Sequence, residues 1–553
     1  MQSGVPVPFT GPGGVGNEFV QALLADESFH TGLAQKLGIG EVLSKADTIS
    51  QATNLLWYDL SPVIQMLYPY AGLTPLIGRL PRRAAEGGNA YHWKRITGIN
   101  INGVSSGVSE GNRGARIALA EQDMTARFKT LGLESSVTFE ARLGSRGLNP
   151  EALGISVQSA LRSLRIDEEK ILINGNASMP LGTTPTPTLT EGAVTGQTGT
   201  FSGAVFIACV ALTGMAYVNY TSYNSTTLRG GVPGRETKIN ADGSSDTYGG
   251  GSAAPSAITT VTPTGTHCVT ATVTVVNGAM AYAWYVGSTN DATAMYLAGI
   301  TPSNQVILTA VPASTAQPLS ALYVGGAAVD NSTNVLVPDG IIPQLYGAIL
   351  GPAPGMLMST NPYLPSGVAA STAGSIIYTM AAGNTGLSIS GSSIDEFDAI
   401  FSAAYDQYKI GFDRILISGA DMLSSFGAML NDAAGSNTFR ILMEADNNGR
   451  VIAGRKVTSY LNKFYNNTLD VEVHPYLPPG TVVFWSDRSP YELSNVANIM
   501  EARVRQDYYQ IQWPWKTRRY EYGVYVDEVF ALYFSPAFAV IRNVNPTTGS
   551  MVF

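Results

Sequence analysis

The sequence predicts an α+β protein interrupted by an all-β insertion. Three observations carry that prediction: one long amphipathic stretch from Asn149 to Gly175, two extended segments ahead of it, and a block from Pro185 to Pro338 with only three basic residues, Arg229, Arg235 and Lys238. In the long stretch Leu153, Val157, Ala160, Leu161, Leu164, Ile171 and Leu172 recur with a helical period and form one apolar stripe. Asn149 suits the N-cap, Pro150 the first helical position, and Asn174-Gly175 the stop. A helix from Pro150 to Ile173 would span roughly 36 Å at ~1.5 Å per residue. A rigid rod of that length with extended arms suits a protein that contacts copies of itself.

Ahead of the helix, residues 1–81 read as an arm, with a Gly/Pro-rich opening and short amphipathic helical stretches around 18–37 and 53–68. Residues 82–148 read as an extended hairpin, with strands near 90–101 and 130–142 and a Gly/Ser/Asn tip between Gly98 and Gly114. Its ten basic residues (Arg82, Arg83, Lys94, Arg95, Arg113, Arg116, Arg127, Lys129, Arg142 and Arg146) stand out in a chain of net charge −8. Such a hairpin should lie on something acidic.

Residues 149–184 hold the long helix, and the insertion at 185–338 opens with the linker-like Thr183-Thr-Pro-Thr-Pro-Thr. Val269 to Val276, Asn277-Gly278 and Ala281 to Gly287 spell strand, turn, strand, with Trp284 as a core aromatic; Gln305 to Val311 holds another strand. This resembles the B–C region of an immunoglobulin-like sandwich, although both cysteines, Cys209 and Cys268, precede Trp284 and the antibody Cys–Trp–Cys order is absent. Residues 339–553 alternate helix and strand. Ser393-Ile-Asp-Glu396 spells a capping box before a helix with Phe397, Ile400, Phe401, Ala404 and Tyr408 on one face. Asp413 to Gly419 reads as a buried strand and Asp421 to Phe426 as a helix. Further strands are expected near 471–475, 481–485, 523–530 and 537–541.

Charged residues make up only 13% of the chain, while 59 Gly and 30 Pro mark many turns. So little charge implies a surface covered by partners or by a membrane. The negative balance excludes a dedicated nucleic-acid binder with a basic face, and two cysteines exclude a disulfide framework or a four-cysteine zinc site. Phe201 to Val218 carries no charge over eighteen residues, but no Lys or Arg flanks it and Val205 to Val210 reads as a buried strand; we expect no membrane span. No secretory leader is read at the start of the chain.

No catalytic constellation emerges. Gly11-Pro-Gly-Gly-Val-Gly16 fits a dinucleotide-loop spelling without the strand that should precede it. Gly103-Val-Ser-Ser-Gly107 and Gly107-Val-Ser-Glu-Gly111 fit a nucleophile elbow but lie in the hairpin tip. The four histidines, His30, His92, His267 and His474, have no partner at metal-ligand spacing. We expect no enzyme activity, cofactor or metal.

In order, the arm, the basic hairpin, the long helix and the terminal α/β region resemble the major capsid proteins of tailed bacteriophages, with their Hong Kong-type capsid fold. The last third carries the likeness best: Asp470-Val-Glu-Val-His-Pro-Tyr-Leu-Pro-Pro-Gly, Asn495-Val-Ala-Asn-Ile-Met-Glu-Ala-Arg-Val-Arg and Trp513-Pro-Trp-Lys-Thr-Arg-Arg-Tyr look like the coat-protein group of phage N-four. The resemblance covers 1–184 and 339–553 and departs at the insertion. It implies an N-terminal arm, an extended loop, a spine helix, and peripheral and axial domains. It further implies pentamers and hexamers of the chain in an icosahedral virion head around double-stranded DNA that is contacted without sequence specificity. A scaffolding protein, a portal and a decoration protein are implied partners. Arg113, Arg116, Arg127 and Lys129 are then expected to pair with acids of a neighbouring subunit, with Asp167, Glu168 and Glu169 as candidates, and the insertion to face outward. A secreted Ig-bearing adhesin would need an export signal. A glycan-active enzyme with an Ig-like module would need clustered carboxylates.

Overall fold

The computed structural model describes residues 70–100, 102–146, 151–347, 367–370, 374–381, 386–390, 393–421, 459–488, 495–545 and 551–553. The expected arm helices, Asn149, Pro150 and most of the expected helix 421–426 lie outside the described residues. Along the chain come β1 (Arg82–Ala84), β2 (Ala90–Ile99), β3 (Leu119–Arg127), β4 (Lys129–Thr138), α1 (Phe139–Gly144) and α2 (Ala152–Asn174). The insertion contributes β5 (Thr188–Gly192), β6 (Val205–Leu212), β7 (Thr259–Val261), β8 (Cys268–Thr272), β9 (Ala281–Gly287), β10 (Met295–Thr301) and β11 (Gln305–Leu308). After it come β12 (Val368–Ala370), β13 (Ile376–Thr379), α3 (Asp395–Tyr408), β14 (Arg414–Ile417), β15 (Ser459–Asn462), β16 (Asn467–Val473) and β17 (Val482–Trp485). The last strands are β18 (Met500–Gln512), β19 (Arg519–Leu532) and β20 (Phe538–Arg542).

A seven-stranded mixed sheet, ordered β12-β13-β20-β17-β14-β16-β15, forms the centre of the terminal region. Side chains alternate across a strand. One face, including Ile415, Ile417, Val482, Phe484, Ala539 and Ile541, therefore packs on Phe397, Ile400, Phe401 and Ala404 of α3. The opposite face, with Leu416, Val483, Trp485, Phe538 and Val540, joins the core built on α2. Burial on both faces explains why these strands read as unbroken apolar runs.

The capping-box expectation is corrected. Ser393 and Ile394 form a short ladder with Ile389 and Ser390, so the helix is capped at Ile394, and the Glu396 carboxylate accepts the Ser388 N–H at 2.9 Å. The expected hairpin pairing is corrected as well. β2 pairs with β3, from Ala90 opposite Arg127 to Ile99 opposite Leu119, whereas β4 pairs with β19. The mixed composition of 119–127 hides a strand from an alternation argument. β4 completes a four-stranded sheet, β1-β18-β19-β4, and the segment after it turns into α1 rather than continuing to residue 142.

Helix α2 lies on that sheet. It is buried selectively at Ala160 and Leu164 and on nearly all sides from Ile166 to Asn174. Gly175 ends it through close approach, not a left-handed turn: a Cβ there would sit 2.6 Å from the Pro338 carbonyl oxygen and 2.7 Å from that of Ile171. The chain leaves for the insertion at this point and returns against it, since the Gly340 N–H donates to the Gly175 carbonyl at 2.8 Å.

The insertion is a two-layer sandwich of a four-stranded sheet, β7-β6-β9-β10, and a three-stranded sheet, β11-β8-β5. Trp284 is fully buried between the layers with Ile207, Val269, Val306 and Leu308, and its indole N–H donates to Thr301 Oγ1 at 2.8 Å. Asn277-Gly278 does not close a hairpin: β8 and β9 belong to different sheets, and the turn carries the chain across the sandwich. Residues 201–218 hold β6 and a short helix, Gly214–Val218. Among the described residues no helix is long and apolar enough to cross a membrane.

Candidate assembly surface

The β2–β3 hairpin is anchored at its base and uncovered towards its tip. At the base Tyr91 stacks on Trp93 at 5.3 Å, Trp93 meets the edge of Tyr533, and Ala126 and Phe128 are buried against Val529. Further out the apolar residues lose their cover: Ile96, Ile99, Val108, Ile117 and Leu119 are all exposed, Ile99 by 70%. Side-chain bonds hold the tip in shape. Asn100 exchanges two hydrogen bonds with the backbone of Val104, and Asn102 bridges the Arg116 carbonyl and the Ala118 N–H. Five large aliphatic side chains stand uncovered along this one projection, apolar surface that calls for a partner.

The basic residues of this region divide into two groups. Those near the body are engaged within the chain: Arg83 pairs with Glu501, Lys94 with Asp123, and Lys129 donates to the Val335 carbonyl. Arg95 bonds Gln122, and the Arg142 guanidinium lies 4.6 Å over the Tyr520 ring. Arg113, Arg116, Arg127 and Arg146 are exposed and make no ion pair among the described residues.

The three acids expected to receive such cations have separate fates. Asp167 stays half-exposed, 3.3 Å from Lys170, on the wall of a recess of about 410 Å³ between β4, α2 and the insertion. Glu168 and Glu169 are fully buried and hold partners of their own chain, which removes them as acceptors for a neighbour. Adjacent helical positions point in different directions, so the two carboxylates clasp the incoming segment 76–82 at two places. Glu169 accepts the N–H groups of Leu76 and Ile77 at 2.9 and 2.7 Å and meets His474 Nε2 at 2.8 Å. Glu168 accepts from Arg82 at 2.6 Å and from the Tyr508 hydroxyl.

Arg82 also lies 3.1 Å from the buried Glu528 and 3.0 Å from the exposed Asp507, with its guanidinium 4.6 Å over the Tyr508 ring. Burial lowers the affinity of Arg82 for its proton, but Glu528 and Glu168 outweigh it and hold the guanidinium above its ordinary range. Burial, with Glu168 beside it, pushes the Glu528 carboxyl well above the usual carboxylate range, against the pull of Arg82. Sequence reading missed Arg82, Tyr508, Glu528 and His474 as partners of the helix. The available signal was a pair of carboxylates at positions where the apolar stripe should have continued. Among the described residues no cluster of His, Cys, Asp and Glu could hold a metal ion.

No protein-family profile and no curated protein sequence matches the chain. Solved structures do. The capsid of a native GTA particle is 7% identical, with 91% of this chain and 100% of that one covered and a TM-score of 0.39. The cyanophage A-1(L) capsid is 9% identical, with 85% and 93% covered and a TM-score of 0.36. The capsid of Myoviridae phage XM1 is 10% identical, with 90% and 99% covered and a TM-score of 0.37. All three are capsids.

Proposed function

We propose that this chain is a major capsid protein, a structural subunit that assembles with copies of itself into the icosahedral head of a tailed bacteriophage around double-stranded DNA. The observation that carries the reading is the β2–β3 hairpin, an ordered projection with an uncovered aliphatic tip and with Arg113, Arg116 and Arg127 exposed. A subunit buries such a projection on a neighbour, and contacts between unlike patches close into rings. The low charge of the chain and the order of its parts agree with this. Pentamers and hexamers are the expected rings; a scaffolding protein and a portal are the expected partners in building the head. In this reading the 4+3 sandwich is an Ig-like module facing outward, available to a decoration protein or a glycan. Asp167 is the remaining helix acid that a neighbour's hairpin cation can reach.

The test is expression of the chain alone, size-exclusion chromatography and negative-stain electron microscopy. Shells, or rings of five and six, are expected. A species that stays monomeric at high concentration, alone and with a co-expressed scaffolding protein, overturns the reading.

A further inference from the structure

We propose that Glu168 of α2 and Glu528 of β19 share one proton beneath Arg82, and that this proton latches β1, with the segment it terminates, onto the edge of the four-stranded sheet. From β1 comes Arg82, from α2 Glu168, from β19 Glu528, and from β18 the Tyr508 hydroxyl and the exposed Asp507. Arg165 of α2 lies 5.9 Å over the Tyr508 ring, a second cation near the group but outside ion-pair contact with either glutamate. Both glutamate side chains are 0% exposed, so neither charge is screened by water.

The charge balance decides the protonation. One guanidinium faces two buried carboxyls, and the third acid, Asp507, is half in solvent. Two ionised carboxylates in one dry site with a single cation in ion-pair contact leave a buried negative charge without close compensation, which is strongly unfavourable. A single proton held between the two carboxyls removes it. Glu168 already accepts from Arg82 and from Tyr508, so its oxygens are occupied by donors. The Glu528 oxygens meet Arg82 only as an ion-pair contact at 3.1 Å and accept no well-aligned hydrogen bond among the described residues, so in this proposal the shared proton sits on Glu528.

The latch acts on backbone that can be read directly. β1 runs parallel to β18 for three residues, and two flanking bonds extend the pairing: Ala502 N–H to the Pro81 carbonyl at 2.9 Å and Ala85 N–H to the Val504 carbonyl at 2.8 Å. Besides the Arg82 cluster, the one side-chain tie from this three-residue strand to β18 among the described residues is the Arg83–Glu501 pair at 3.2 Å, which is half in solvent on the arginine side. Loss of the proton places the two carboxylates in repulsion around Arg82, and β1 opens.

The test is amide hydrogen exchange of the purified full chain between pH 6 and pH 10, corrected for intrinsic exchange and read at Ala85 and Ala502. Wild type is expected to lose protection by tenfold or more as pH rises, a factor of ~10 corresponding to about 1.4 kcal/mol of local opening. Glu528→Gln and Glu168→Gln each leave one carboxylate for one guanidinium, so each is expected to flatten the pH response. The double variant leaves Arg82 with Asp507 alone and is expected to lower protection at every pH. Protection in wild type that does not change with pH, or a response that survives in both single variants, overturns the proposal. If Glu168→Gln does not fold, Glu528→Gln decides alone, because Gln reproduces the shape of a protonated Glu. These readouts report on the subunit and are independent of whether it forms shells.

Discussion

Glu169 Oε1 lies 2.8 Å from His474 Nε2, and this bond ties the long helix to the end of a strand 305 residues away. The Tyr476 N–H donates to His474 Nδ1 at 3.2 Å, so Nδ1 is the acceptor and Nε2 carries the hydrogen that reaches Glu169. With the Leu76 and Ile77 N–H groups on the same carboxylate, Glu169 satisfies three buried donors from two distant parts of the chain.

Glu169→Ala should therefore destabilise the subunit by about 2–4 kcal/mol, because it orphans buried donors rather than removing one bond. Glu169→Gln should recover part of that loss, since its amide nitrogen opposes one of the same donors. Urea unfolding followed by tryptophan fluorescence measures both.

The hairpin tip should govern assembly without governing folding. Ile99→Asp with Ile117→Asp places charge among the uncovered aliphatic side chains of the hairpin and should abolish shells, while the subunit's melting temperature moves by little, since both side chains are exposed. Arg127→Glu should weaken shells in a salt-dependent way. Shells of that variant intact at high salt would remove Arg127 from the set of intersubunit cations.

Asp421 makes a separate pH prediction. Burial raises its carboxyl from 3.8 to about 6, despite bonds from the Ser418 hydroxyl and the Gly480 N–H. The folded protein binds this proton more tightly than the unfolded chain, so the stability linked to it is full below pH 3.8 and is lost as pH rises to about 6. Asp421→Asn should flatten the stability profile across that window, and the fall between the two pH values should shrink relative to wild type in thermal melts.

The final described residues close an edge of the sandwich. The Ile307 N–H donates to the Met551 carbonyl at 2.9 Å, and the Thr309 N–H donates to the Phe553 carbonyl at 2.7 Å, beside strand β11. The Phe553 ring covers Gly299, where a Cβ would meet it at 2.5 Å. Removal of 551–553 should raise amide exchange at Ile307 and Thr309 by tenfold or more, about 1.4 kcal/mol of local protection, and leave Trp284 fluorescence unchanged.

Elements with strong periodicity were legible in the chain itself. The apolar stripe of α2, the runs 414–417 and 482–485, and the aromatic face of α3 are where the sequence reading placed them, because their burial depends on period alone. Pairing was not legible. β3 reads as polar because half of it lies on an exposed hairpin, and β18 because its outer half is solvated; neither shows the alternation that marks a buried strand. Of the expected site, Arg113, Arg116 and Arg127 stand on the surface, whereas Glu168 and Glu169 look identical to solvent-facing acids until the fold buries them.

What the sequence determined by itself is the set of segments and their order: a low-charge α+β chain, one long helix, a basic extended region before it and a β-rich insertion after it. Helical and strand periods are local properties, and composition is additive along the chain. What only the tertiary structure decided is which strands meet, which of ten basic residues remain available at the surface, and that two neighbouring glutamates end up beneath Arg82 and beside His474. Those outcomes depend on contacts between residues hundreds of positions apart, where burial and a single partner reverse the meaning of a charged side chain.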